Sequence, residues 1–71
     1  MITGIGGMVG THLSDYLFAQ GVRPLGLHYN STVSLSELGH RADLVECDVR
    51  DALLICRLIE QNLPDVIYHL A

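Results

Sequence analysis

The stretch Thr3-Gly4-Ile5-Gly6-Gly7-Met8-Val9-Gly10 decides how this sequence is read. Gly4, Gly7 and Gly10 are spaced so that a strand can turn sharply, bring its backbone close to a pyrophosphate and open a helix packed on the sheet. The backbone N–H groups of Met8 and Val9 then fall in the first helical turn, where they lack intrahelical acceptors and the helix dipole favours an anion. A P-loop would need Gly-Lys followed by Ser or Thr, and the chain contains no lysine, which argues against a phosphate-transferring NTPase.

Outward from this turn, the composition is that of a globular chain: 71 residues, 49% hydrophobic, with a formal charge of −4. A chain of this length buries only about 60% of its unfolded surface, so its core is marginal unless something extends it. The acidic balance and the singly scattered arginines argue against nucleic-acid binding, which depends on clustered basic side chains. No apolar run reaches the roughly 18 residues that span a bilayer, and no basic segment precedes an apolar core at the N-terminus, so a cytoplasmic location is expected. Cys47 and Cys56 form neither a disulfide framework nor a metal spacing and read as buried small hydrophobes. His12, His28, His40 and His69 show no ligand pairing, so no metal is expected.

Met1 to Thr3 is apolar and β-branched, suiting a first strand. Its brevity suggests a segment truncated at both ends of a larger domain. Val9, Leu13, Tyr16, Leu17 and Phe18 recur at helical spacing over residues 8–20, with Gly21 as the terminating residue and Pro24 beyond it. Residues 25–29 read as a second strand weakened by Gly26, and residues 30–39 as a polar connection holding one helical turn at 34–38. A third strand is expected over 42–47. Asp51 caps a helix whose apolar set is Leu54, Ile55, Leu58 and Ile59, ended by Asn62 and Pro64. Val66 to Leu70 forms a fourth strand.

Strands alternating with helices imply right-handed crossovers and a parallel sheet. The expected fold is α/β and Rossmann-like, in three layers, with four strands in the order 3-2-1-4. A ligand then belongs above the carboxyl ends of strands 1 and 4, where the chain reverses direction across the sheet. His69 reads as a hydrogen-bonded core histidine, Tyr16 as helix packing and Tyr68 as sheet packing.

With these elements in place, the chain resembles the N-terminal part of an extended short-chain dehydrogenase/reductase. That group comprises NAD-dependent nucleotide-sugar epimerases, 4,6-dehydratases such as those acting on GDP-mannose, and 4-keto-sugar reductases. Residues 3–10 match its TGxxGxxG turn, Asp48-Val49-Arg50-Asp51 resembles its acidic motif after the third strand, and Pro64 to Ala71 resembles its PDxVxHLA fourth strand. The resemblance implies that the backbone of Gly4, Gly7, Met8 and Val9 holds the pyrophosphate of NAD(P), while Gly10 permits close helix packing. It also implies that Asp48 accepts a hydrogen bond from the adenine amino group with Val49 against the ring edge, and that Leu70 and Ala71 line the cofactor near its central riboses.

The choice of cofactor turns on the end of the second strand, where an acid would bind a ribose 2′-hydroxyl. Here Tyr29, Asn30 and Ser31 offer donors and no acid, which leans toward NADP, although the arginine expected beside a 2′-phosphate is missing there and either cofactor fits. The resemblance further implies hydride transfer at a sugar carbon, a nucleotide-sugar substrate and a homodimer or higher oligomer in the complete protein. Its catalytic YxxxK pair is not present in these residues, so no catalytic residue is assigned and no turnover is expected of the segment alone. Two other readings stay open: a non-catalytic NAD(P)-binding module or sensor, and an α/β interaction domain with an empty loop.

Overall fold

The computed structural model describes residues 1–30 and 35–71. Its elements run β1 (Ile2–Thr3), α1 (Met8–Ala19), β2 (Leu25–His28), α2 (Leu35–Gly39), β3 (Asp43–Glu46), α3 (Ala52–Asn62) and β4 (Tyr68–His69). All strand pairs are parallel and the sheet order is β3-β2-β1-β4, as expected from the alternation of strands and helices. In β1, Ile2 sits between Gly26 and Tyr68, and Thr3 between Leu27 and His69.

Side chains alternate across this sheet and build a core on each face. On one face Met1, Leu27 and Cys47 meet Leu58 of α3, with Leu54, Ile55 and Ile59 alongside. On the other, Ile2, Ile5, Leu38 and Ala42 meet Leu13 and Leu17 of α1. Helices on both faces of a parallel sheet give the three layers.

The helix ends are well specified. Gly21, at φ +81°, closes α1 with N–H bonds from Gly21 to Phe18 O (3.0 Å) and from Val22 to Leu17 O (2.9 Å), the Schellman arrangement. The Asp51 carboxylate accepts from the Leu54 N–H at 3.1 Å and caps α3. At its far end Leu63 takes a left-handed conformation at φ 44° ahead of Pro64, and the Asn62 side-chain amide donates to Leu58 O at 2.8 Å.

Several expectations need correction. The buried face of α1 is Gly10, Leu13, Ser14 and Leu17, not the stripe of Val9, Tyr16 and Phe18, which are 63%, 62% and 50% exposed. The close approach at Gly10 rotates the helix so that its smallest residues touch the sheet. β4 pairs only over Tyr68–His69, and Val66, Ile67, Tyr68 and His69 are exposed because β4 has a strand on one side alone. Tyr68 pairs with Ile2 in the sheet, as read, and is 40% exposed, while His69 pairs with Thr3 and is hydrogen-bonded and exposed. Cys47 is buried as read, whereas Cys56 is exposed on the outer side of α3. The short helix α2 begins at Leu35; Ser34, placed in it by sequence, lies outside the described residues.

Arg23 ties the lower half of the sheet together in a way the sequence did not announce. Its Nε donates to Asp43 Oδ1 (2.9 Å), Nη1 to His40 O (2.9 Å), and Nη2 to Gly39 O (2.7 Å) and Ala42 O (3.2 Å). A cation thus satisfies carbonyls at the end of α2, where the helix dipole favours positive charge.

Candidate functional site

The turn after β1 is built around Gly4, whose φ of +69° is a left-handed conformation that a side chain would strain. Its shape is held by backbone bonds: Ile5 N–H to Leu27 O (3.1 Å) and Gly7 N–H to Gly4 O (3.1 Å). Thr11 then clamps the loop to the helix, its N–H and its hydroxyl both donating to Gly7 O, at 2.9 and 2.7 Å. Gly10 lies against this turn so closely that a Cβ there would stand 2.5 Å from Gly4 O and 2.7 Å from Ile5 Cα.

Gly7 is the N-cap of α1 and provides no side chain to cap it, and the first turn carries no acid. Among the described residues the N–H groups of Met8, Val9 and Gly10 find no acceptor. These three donors lie at the positive end of a 12-residue helix, where an anion is favoured. At Gly7 the backbone needs no positive φ, and a Cβ would meet only Gly4 O at 3.4 Å. The fold itself therefore places little demand for glycine at this position.

Beside these donors lies a cavity of about 270 Å³ lined by Gly4, Gly6, Gly7, Tyr29, Asn30, Leu70 and Ala71. It opens at the carboxyl ends of β1, β2 and β4, at the point where the strand order reverses. Half of the twelve residues singled out by sequence are brought together here: Gly4, Gly7, Tyr29, Asn30, Leu70 and Ala71 line it, while Met8 and Val9, next in the chain after Gly7, are exposed and outside the lining. Gly10 supports the turn from below and does not line the cavity, and Ser31 lies outside the described residues. Gly6 joins the lining unannounced, since the spacing rule singles out its neighbours. A larger hollow of about 470 Å³, lined by Met1, Val22, Pro24, Asn62, Pro64 and Val66 among others, sits at the opposite, amino ends of the strands, away from the switch point.

Asp48 and Val49 stand at the end of β3, apart from this cavity. The Asp48 carboxylate is already engaged within the turn. Arg50 reaches back to it, with Nη2 2.7 Å from Oδ2, Nε 3.0 Å from Oδ2 and 3.1 Å from Oδ1, and the Arg50 N–H 2.9 Å from Oδ1. The Arg50 side-chain and backbone hydrogen bonds hold the Asp48 carboxyl below the usual carboxylate range. Arg50 also interacts with the Tyr29 hydroxyl, which together with Asp48 raises its own pKa. The cation absent from the sequence at the end of β2 is thus delivered from the β3–α3 turn, 21 residues further on than Tyr29. Only its place in the acidic motif could have flagged it.

The Cys47 thiol is pushed up by burial and by the nearby Asp51 and Asp48 carboxylates. Among the described residues no group of three or more His, Cys, Asp or Glu is placed to hold a metal ion, and no helix is long and apolar enough to cross a membrane.

Fold and turn together define a Rossmann-like α/β unit of the NAD-binding type. The chain belongs to the NAD dependent epimerase/dehydratase family, whose pattern it matches over residues 1–71. It is similar to the crystal structure of the Bordetella bronchiseptica enzyme WbmH in complex with NAD+, with 30% sequence identity and a TM-score of 0.83. The match covers 99% of this chain and 24% of that one, so the chain spans about a quarter of the length of WbmH.

Proposed function

We propose that these residues are the NAD(P)-binding segment of a nucleotide-sugar-modifying oxidoreductase. The observation that carries the reading is the set of N–H groups at Met8, Val9 and Gly10, without acceptors among the described residues, beside a glycine-floored cavity at the switch point. A diphosphate supplies the acceptors those groups lack and the negative charge that the helix end favours. Leu70 and Ala71 form the wall toward the central riboses, and Tyr29 and Asn30 the wall toward the adenosine ribose. The similarity to an enzyme held with NAD+ supports the same class of cofactor here.

When bound, the nicotinamide supplies hydride chemistry at a sugar carbon. The part of the chain described here binds and orients; it holds no tyrosine followed four residues later by a lysine, and the acid–base step and the sugar site belong to other parts of the protein. Epimerisation, 4,6-dehydration of a substrate such as GDP-mannose, and 4-keto reduction all fit this segment equally. A cytoplasmic, homo-oligomeric enzyme completes the proposal.

At the adenosine end the absence of an acid on Tyr29 and Asn30, with Arg50 beside Tyr29, favours acceptance of a 2′-phosphate. The same Arg50 is already paired with Asp48, which makes the lean toward NADP slight. Titrating the full-length protein with NAD+ and NADP+ by calorimetry tests both statements. Binding of neither overturns the function; tighter binding of NAD+ overturns the lean alone.

A further inference from the structure

Thr3 ends β1, is only 4% exposed, and its hydroxyl has three neighbours, all from the end of β4. The N–H groups of Leu70 and Ala71 donate to Oγ1 at 3.1 and 3.4 Å, and His69 Nδ1 lies 2.7 Å away. A hydroxyl has one proton to give. Two of its neighbours are themselves donors, so among the described residues the acceptor within reach of that proton is His69 Nδ1. A buried hydroxyl left without an acceptor would cost about 1–3 kcal/mol. Nδ1 must then be the bare nitrogen of the ring, with the ring proton on Nε2.

We infer that His69 is a positioning residue acting through Thr3: its neutral, Nε2-protonated ring orients the Thr3 hydroxyl so that this oxygen carries the Ala71 amide, and protonation of the ring loosens that hold. The inference rests on the reading of the adjoining cavity as the dinucleotide cradle. A proton on Nδ1 turns an acceptor into a donor, and the Thr3 hydrogen loses its partner while three donors converge on one oxygen. The Leu70 N–H has a second acceptor in Thr3 O at 3.2 Å, so the disturbance falls on Ala71, whose bond is the longest. Ala71 N stands 2.9 Å from where a Cβ on Gly4 would project, so a shift there reaches the glycine turn directly.

Among the described residues the ionisable side chain that shares this face is the buried Cys47 thiol beyond β2, which burial and the Asp51 and Asp48 carboxylates keep protonated on acidification. β4 pairs with β1 alone, and the Met1 amino group bonds Val66 O at the opposite end of that pair. Thr3 and His69 share the sheet face of Leu27, which α3 meets through Leu54, Ile55, Leu58 and Ile59; Cys56, Arg57 and Glu60 of α3 are exposed.

Nitrogen-15 NMR of the full-length protein reads the ring tautomer directly, and a cofactor titration at two pH values reads its consequence. At pH about 7.5 His69 is expected as the Nε2–H tautomer, and acidification far enough to charge the ring is expected to move the Ala71 amide resonance and to weaken NAD(P) binding roughly threefold to tenfold, up to about 1.4 kcal/mol. His69→Asn, which puts a non-titrating amide oxygen near the Nδ1 position, is expected to bind with an affinity that stays flat over this range. Thr3→Ser retains the acid response, and Thr3→Val loses it together with affinity at both pH values. An Nδ1–H tautomer at neutral pH, or an acid response in His69→Asn equal to that of the native chain, overturns the inference. Should the native protein bind neither dinucleotide, the cofactor reading falls on its own, and the tautomer and the Ala71 resonance still decide this one.

Discussion

Gly10 rests on Ile5 backbone to backbone: a Cβ on Gly10 would lie 2.7 Å from Ile5 Cα and 2.8 Å from Ile5 O, distances no folded chain accepts without movement. The neighbours are main-chain atoms of the turn, so they cannot swing aside as a side chain would. Gly10→Ala is expected to push α1 off the sheet and destabilise the protein by about 1–3 kcal/mol or more, as overpacking of a close contact does. Urea unfolding of the full-length protein checks it, and an unchanged midpoint would show that the helix can shift freely.

Gly7→Ala separates folding from binding. The added methyl would meet only Gly4 O at an ordinary 3.4 Å, and φ is −80°, so stability is expected to change by less than about 1 kcal/mol. The same methyl projects toward the space beside the free N–H groups and is expected to weaken NAD(P) binding by roughly tenfold, about 1.4 kcal/mol. Parallel melting and calorimetric titration distinguish the two effects.

Removing Arg50 frees the Asp48 carboxylate. In Arg50→Met the carboxyl is expected to titrate at higher pH than in the native chain, since the guanidinium donors, the larger cause of its lowering, are gone while the residue 50 N–H remains. A depressed native value means that the pair stabilises the fold above the unfolded carboxylate pKa of about 3.9, and that this support fades as pH falls through the native value. Carbon-13 NMR of the Asp48 carboxyl follows the titration directly. If its midpoint is the same in both proteins, the fork does not hold the charge.

The two thiols are expected to react in a fixed order. Cys56 is exposed, whereas Cys47 is buried and its thiol is held protonated by burial and by Asp51 and Asp48. Iodoacetamide at pH about 7.5 should label Cys56 first and reach Cys47 only on unfolding. Peptide mass spectrometry reads the order, and equal labelling rates would contradict the burial of Cys47.

Arg23→Ala is expected to cost about 1–2 kcal/mol, the scale of hydrogen bonds made by a charged group, reduced because the side chain is half exposed. Arg23→Lys should recover little of it, because a single ammonium cannot reproduce a fork that reaches Gly39 O, His40 O, Ala42 O and Asp43 at once. Denaturant midpoints of the two variants give the comparison.

How much of this was legible beforehand depended on whether a feature is local in sequence. The turn at Gly4, the Gly21 helix end and the Asp51 cap follow from short-range rules, the strand order follows from the alternation of strands and helices, and each is found in the fold. The buried face of α1 was misread because periodicity weighs apolar character, whereas contact distance at Gly10 and Ser14 decides which side touches the sheet. Val9, Tyr16 and Phe18 were the casualties. Arg23 and Arg50 escaped because each reaches partners through space: Arg23 spans to residues 39–43, and Arg50 comes to Tyr29 from the next strand's loop. Asp48 was placed at the end of the right strand, but its engagement by a residue two positions on is a matter of side-chain geometry that spacing does not encode.

Gly26, read from sequence as a weakness in β2, receives Ile5 from across the sheet: the Ile5 side chain fills the place where a Cβ at Gly26 would stand. The fit works as a notch and tooth. Were β2 to seat one residue out of step against β1, Leu25 or Leu27 would present its side chain where the tooth must enter, and the misaligned sheet would be refused on volume alone. A strand pairing of two residues has little else to fix its alignment, so this gap in the side-chain pattern acts as the sheet's proofreading device.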